Sequence, residues 1–250
     1  VKFGTGSSEI AVNVPTRSAL FHTLRDRLNR RDGFALATIN LDHLTKLPVD
    51  PAFLKAYKAH NLVVADGRPI VWLARLAGTP VDLMPGSELI VPLCALCAEL
   101  QVPVALVGSS DAALAGASKA LTTRVPGLAV AYVSAPPYGF DPEGAEATAI
   151  LSELAASGAG LCFIALGAPK QEIFAAFGRD KAPRVGFASI GAGLDFLSGH
   201  QVRAPKILRV LALEWLWRAA ENPRRMVPRY AKCFAILPRL VAQALRQRIG

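Results

Sequence analysis

The chain has 250 residues, 52% of them hydrophobic and 19% charged, which suits one α/β domain with a sizeable core. No charge-free apolar run approaches the roughly 18 to 20 residues needed to span a bilayer, and Val1 to Val14 lacks the basic start and apolar block of a signal peptide. The net charge of +9 lies wholly in the tail: residues 1–200 hold 17 Lys+Arg against 17 Asp+Glu, and residues 201–250 hold 11 against 2. That asymmetry calls for an anionic partner, whether phosphate, membrane surface or nucleic acid.

Short runs rich in apolar and β-branched residues read as strands: FALATIN from 34, NLVVAD from 61, VPVALVG from 102, LAVAYVS from 128, LCFIALG from 161 and VGFASIG from 185. Helical spacing fills the intervals. Asp50-Pro51 and Asp141-Pro142 read as N-caps followed by a first-turn proline, and Ser87 or Asp111 as caps of the helices after them. Strand and helix thus alternate about six times, the pattern of a Rossmann-like, mostly parallel sheet with helices on both faces. LIVPLCALCAEL reads as a buried helix in which Cys94 and Cys97 pack rather than bind metal. The four cysteines form no disulfide framework and the four histidines are scattered, so a reducing cytoplasm fits and no metal site is expected.

Ligands of such sheets bind outside the carboxyl ends of the strands. Those ends carry Thr38 and Asn40, Asp66 and Gly67, Gly108 with Ser109 and Ser110, Tyr138 and Gly139, Gly167 through Lys170 and Gln171, and Gly191 through Asp195. Most of these are also what any strand-to-helix loop needs as glycines and caps. Asp66 stands apart, because a carboxylate ending a buried strand is costly unless the strand opens on a wet cleft; its plainer reading is a cap or a surface partner of Arg68.

A boundary is expected near residues 200–205, where GHQVRAP breaks the pattern, giving a core over 1–200 and a basic helical C-terminal appendage over 201–250. There ILRVLALEWLWRAAEN reads as a helix ending before Pro223, with Asn222 capping the next one. Arg218, Arg225, Lys232, Arg239 and Arg246 recur every seven residues, a basic stripe beside an apolar one of Met226, Tyr230, Phe234, Leu237, Val241 and Leu245. Pro228 and Pro238 argue for kinks or separate short helices. The pattern fits a helix lying in a membrane interface first, an oligomer or partner-protein face next, and nucleic acid last, since no nucleic-acid motif is present.

Cofactor signatures are missing: the sequence contains no G-x-G-x-x-G after the first strand, no P-loop, no G-x-S-x-G, no H-E-x-x-H and no Asp-x-Asp to hold a metal on a diphosphate. A departing diphosphate would have to be met by Arg, Lys and backbone N–H groups.

ATIN (37–40), VVADGRPIVWLARLAG (63–78), MPGSEL (84–89), VALVGSS (104–110), FIALGAPKQE (163–172), GAGLDFLSG (191–199) and LEWLWRAAENPRR (213–225) resemble, in order and spacing, the WecG/TagA/CpsF glycosyltransferases. The resemblance runs from about residue 34 to about residue 230. It implies inverting, metal-independent transfer of a sugar from a UDP-sugar to a polyprenyl-diphosphate-linked saccharide on the cytoplasmic membrane face. It also implies Asp66 as general base, Thr38 and Asn40 lining the donor sugar, Gln171 beside them, and Asp195 holding the nucleotide. Gly67, Gly108, Tyr138, Gly167 and Lys170 are further substrate-contact candidates, and Arg218, Arg224 and Arg225 match the basic positions thought to engage diphosphate. Leu83 and Glu88 stand where many relatives carry arginine and aspartate, so sugar specificity is expected to differ. A homo-oligomer contact through the tail is compatible with this reading; nucleic acid is not an expected partner. The rival reading is a non-catalytic nucleotide or phosphate binder whose basic tail docks a partner.

Overall fold

The structure is a computed structural model that describes residues 1–4, 8–199, 205 and 214–249. Its centre is a six-stranded, wholly parallel sheet in the order β4-β3-β8-β7-β5-β6, made of β3 (Ala35–Ile39), β4 (Leu62–Ala65), β5 (Val104–Gly108), β6 (Val130–Ser134), β7 (Leu161–Ala165) and β8 (Gly186–Ser189). All except edge strand β6 are almost completely buried along their length. Burial on both faces is why these strands read as continuous apolar runs rather than as alternating ones.

Side-chain alternation divides the core in two layers. Leu36, Val64, Leu106, Phe163 and Ala188 face α1 (Arg17–Arg30), α5 (Gly86–Glu99), α6 (Asp111–Arg124) and α9 (Gly193–Ser198). On the other face, Ala37, Ile39, Val63 and Ala65 pack under α2 (Leu41–Lys46), α3 (Pro51–Lys58) and α4 (Arg68–Leu76). Ala105, Val107, Cys162, Ile164 and Phe187 pack there under α7 (Ala145–Ala156) and α8 (Lys170–Lys181). Cys94 and Cys97 are fully buried on α5, as the apolar run predicts.

Two-residue strands β1 (Lys2–Phe3) and β2 (Ile10–Ala11) form an antiparallel pair that the hydrophobic pattern does not signal, being too short to show alternation. The segment after them shields the sheet edge: Asn13 and Val14 N–H donate to Val63 O, and Val63 N–H donates to Asn13 Oδ1 at 2.8 Å. Asp50 caps α3 as expected, accepting from Phe53 N–H at 2.9 Å with Pro51 in the first turn. Asp141 does not cap a helix. It closes a turn through Glu143 N–H, and α7 starts only at Ala145. Ser110, not Asp111, caps α6, and α5 begins at Gly86 behind Pro85, ahead of Ser87.

The tail differs most from expectation. After α10 (Glu214–Glu221), α11 runs unbroken for 27 residues, Pro223–Ile249, through both prolines. A proline inside a helix leaves the carbonyl four residues earlier without its N–H partner. Pro228 and Pro238 are exposed, and so are Arg224 and Phe234, the residues whose carbonyls are affected, so both defects fall on the exposed side of the helix. The other side is held by packing. Cys233, Leu240 and Ala244 are buried, with Leu240 and Ala244 joining the cluster under α2 and α4. Gln243 and Gln247 side chains donate to Gly4 O and Lys2 O at 2.5 and 2.6 Å, tying α11 to the N-terminal strand pair. Trp215 of α10 lies edge-on to Tyr230 and Phe234 of α11, with ring centroids 5.8 and 5.3 Å apart. The expected boundary at 200–205, apart from Pro205, and the beginning of the helix expected from residue 207 lie outside the described residues.

Candidate active site

Because the strands are parallel, every strand-to-helix loop emerges at one edge. β3 ends at Ile39, and Asn40 turns the chain into α2: its side-chain oxygen accepts from His43 N–H at 3.1 Å, capping the helix. The Asn40 amide Nδ2 donates to Asp66 Oδ2 at 3.5 Å. Asp66 continues β4 by one residue, its N–H donating to Ile39 O at 2.8 Å, and its side chain is half-buried at the mouth of the sheet. Gly67 then takes φ +92, a conformation that favours glycine, to launch α4, whose first turn holds Pro69. Thr38, on β3 two residues before Asn40, is buried and its hydroxyl donates to Ser189 O at 3.4 Å, bracing β3 against β8.

Gln171, expected beside Thr38 and Asn40, lies in the first turn of α8. It is 2% exposed, its Oε1 accepting from Gly191 N–H at 3.1 Å and its Nε2 donating to Glu172 Oε1 at 2.8 Å. It therefore ties α8 to the β8–α9 turn. Its backbone N–H closes the loop onto Gly167 O, where Gly167 has φ +73. Lys170 reaches across to Phe140 O at 2.7 Å, so its ammonium anchors the β6–α7 loop bearing Tyr138, which is fully exposed. Gly108 has φ +112, and a Cβ there would lie 2.5 Å from the Ala165 carbonyl carbon. The next residue, Ser109, hydrogen-bonds the Asp195 carboxylate through its hydroxyl.

The structure thus groups Thr38, Asn40, Asp66 and Gly67 at the β3–β4 end, and Gly108, Gly167, Gln171 and Asp195 along the same edge. Tyr138 stands at the far end, beyond β6. Arg224 and Arg225 are exposed in the first turn of α11; the Arg218 backbone belongs to α10, and its side chain lies outside the described residues. Leu83 is half-buried and Glu88 exposed, on either side of residues 84–87. Met84 N–H donates to Ala65 O, and a Cβ on Gly86 would lie 2.9 Å from Ile190 Cα, so this segment borders the same cleft.

Beneath the edge is a polar layer that motif reading misses. Glu172 is fully buried, its Oε2 has no hydrogen-bond partner among the described residues, and burial pushes its carboxyl up to about 7. Asp42 is almost buried between two cations, Lys46 Nζ at 2.8 Å and Arg229 Nε of α11 at 2.8 Å. Burial alone would raise its pKa, but the Lys46 hydrogen bond and the Arg229 and Lys46 charges together hold it below the usual carboxylate value. His43, buried against Tyr57 with Nδ1 3.3 Å from the phenol oxygen, is lowered to about 3 by desolvation and is neutral at physiological pH. Asp42 with Lys46 reads in sequence as an exposed pair on one helix face, and Glu172 as an acid favouring a helix N-terminus. Only the packing reveals that both are buried.

The fold defines a doubly wound, Rossmann-like α/β protein with a half-buried carboxylate at the carboxyl edge of its sheet. The model of the glycosyl transferase WecG/TagA/CpsF family matches residues 7–250, nearly the entire chain, and the chain belongs to that family. It is therefore a glycosyltransferase of cell-surface polysaccharide synthesis, a family whose members in general use a sugar-nucleotide donor and a lipid-linked acceptor. Among the described residues no helix is long and apolar enough to cross a membrane.

Proposed function

We propose that the protein transfers a hexose or N-acetylhexosamine-type sugar from a UDP-sugar to a polyprenyl-diphosphate-linked saccharide, with inversion and without a metal ion. The observation that carries this reading is the half-buried Asp66 carboxylate at the mouth of the sheet, beside the Asn40 amide. In this scheme the acceptor hydroxyl oxygen attacks the anomeric carbon from the face opposite UDP. The new C–O bond forms as the bond to the β-phosphate breaks, the hydroxyl proton passes to Asp66, and UDP leaves with the bonding electrons. A carboxylate on the attacking side stabilises the cationic sugar of the transition state, while cations on the other side meet the diphosphate charge. Arg218, Arg224 and Arg225 are assigned to the diphosphate, Asp195 and the Gly108 turn to the nucleotide, and Thr38 and Asn40 to the donor sugar. Gln171, held by two hydrogen bonds, shapes the floor beneath them.

We also assign α11 to an anionic membrane surface on the inner face of the plasma membrane. Its docking side is spent on α2 and α4, yet Val227, Phe234, Val241 and Leu245 remain exposed on a helix that also carries Arg225, Lys232, Arg239 and Arg246. Apolar residues among cations suit the interface of an anionic bilayer. The chemistry is tested by screening UDP-sugars for turnover against lipid-diphosphate saccharides, with and without chelator. Consumption of one donor, undiminished by chelator, is expected; no consumption, or its loss on chelation, overturns the reading.

A further inference from the structure

α11 reaches the reaction edge through Arg229. Its Nε lies 2.8 Å from Asp42 Oδ1 while Lys46 Nζ lies 2.8 Å from Oδ2, and the Asp42 side chain is only 8% exposed. A carboxylate so desolvated depends on both cations, and removing one leaves its charge poorly compensated. Asp42 sits in the first turn of α2, two residues after Asn40, whose side chain both caps that turn and donates to Asp66. At the far end of α2, Lys46 donates to Ala168 O at 3.3 Å, in the loop that carries Gly167 and Lys170. A helix of 6 residues has too few internal bonds to hold itself in place, so its position is set by what packs on it, and α11 packs directly on it.

We infer that Arg229 is a positioning residue for sugar transfer: by pairing with Asp42 it fixes α2 and, through the Asn40 cap, the Asp66 carboxylate. Docking of the tail helix and readiness of the base are thereby one event. The inference rests on the reading of Asp66 as the base. It separates Arg229 from Arg224 and Arg225, which are exposed about one turn earlier on the same helix. Those arginines are available to a diphosphate, whereas Arg229 is committed to a carboxylate of the core.

The test uses the full chain and a water-soluble, short-chain lipid-diphosphate saccharide, so that membrane docking does not enter. Arg229→Met, Arg229→Lys, Asp42→Asn and the Arg229→Met/Asp42→Asn pair are compared by kcat, by KM for donor and acceptor, and by amide hydrogen exchange of residues 41–46. Arg229→Met and Asp42→Asn are each expected to lower kcat about tenfold with both KM values within about twofold, and the pair is expected to fall no further than the worse single change. Arg229→Lys retains most of the turnover, and the α2 amides exchange about tenfold faster in Arg229→Met. Protected β7 amides certify each fold, and if Arg229→Met does not fold, Asp42→Asn alone carries the comparison. A raised acceptor KM with unchanged kcat in Arg229→Met makes Arg229 a phosphate ligand and overturns the inference. Unchanged α2 exchange overturns it as well. If the wild-type chain consumes no UDP-sugar, the reading of the chemistry fails separately, and α2 exchange still decides whether Arg229 holds the Asn40 cap.

Discussion

Replacing Glu172 with glutamine is expected to stabilise the protein at alkaline pH and leave it unchanged in acid. The carboxyl is fully buried, one oxygen accepts from Gln171 Nε2, the other has no hydrogen-bond partner among the described residues, and desolvation moves its pKa from 4.5 to about 7. Below pH 4.5 the folded and unfolded chains both carry the proton, and no penalty arises. Between 4.5 and about 7 the unfolded chain releases the proton while the folded chain keeps it, so stability falls as pH rises. Above about 7 both forms are ionised and the loss levels off at about 3 kcal/mol, taking 1.36 kcal/mol for each tenfold change in proton affinity. Glutamine keeps an oxygen for Gln171 and never ionises. Urea unfolding followed by tryptophan fluorescence should show the two proteins equal within about 0.5 kcal/mol at pH 4.5, and Glu172→Gln ahead by about 3 kcal/mol at pH 8. A difference that does not change with pH, or a wild-type protein that is the more stable at pH 8, would refute this and show the ionised carboxylate to be well compensated.

Gly108→Ala should cost at least about 2 kcal/mol in the same assay, because its Cβ would meet the Ala165 carbonyl at 2.5 Å in a residue with φ +112; a loss under about 0.5 kcal/mol would contradict that packing. Phe234→Asp with Val241→Asp should weaken binding to phosphatidylglycerol vesicles at least about tenfold while turnover of a soluble acceptor persists, since both side chains are exposed. Equal vesicle binding by sedimentation would remove the membrane role from that face. Leu240→Ala, on the docked side, should lower stability by about 2 to 4 kcal/mol; a cost near zero in urea would show that α11 does not share the core.

The parallel sheet was legible because its strands are buried on both faces and so stand out as unbroken apolar runs between helical stretches. The carboxyl edge follows from the same order, which places Asn40 and Asp66 at the mouth of the sheet. What stayed hidden was chemistry that depends on burial. Asp42 and Lys46 look like an ordinary helix-surface pair, and nothing local reveals that Arg229, far along the chain, covers them. The Gln171 side chain is legible as a residue of the carboxyl edge, but not its two hydrogen bonds to Gly191 and Glu172, which depend on how α8 meets the β8–α9 turn. The prolines of α11 suggested breaks because a sequence does not say which side of a helix faces water. The apolar stripe read from Met226 to Leu245 carries the exposed Phe234, Val241 and Leu245, while the docking side uses Cys233, Leu240 and Ala244.

The central claim is that Asp66 takes the proton of the attacking hydroxyl. Its most direct test is Asp66→Asn, assayed side by side for UDP binding by calorimetry and for sugar transfer to a soluble lipid-diphosphate acceptor. Loss of at least about a thousandfold in kcat with UDP affinity within about threefold of wild type is the expected result. An Asp66→Asn enzyme that keeps most of its turnover would contradict it.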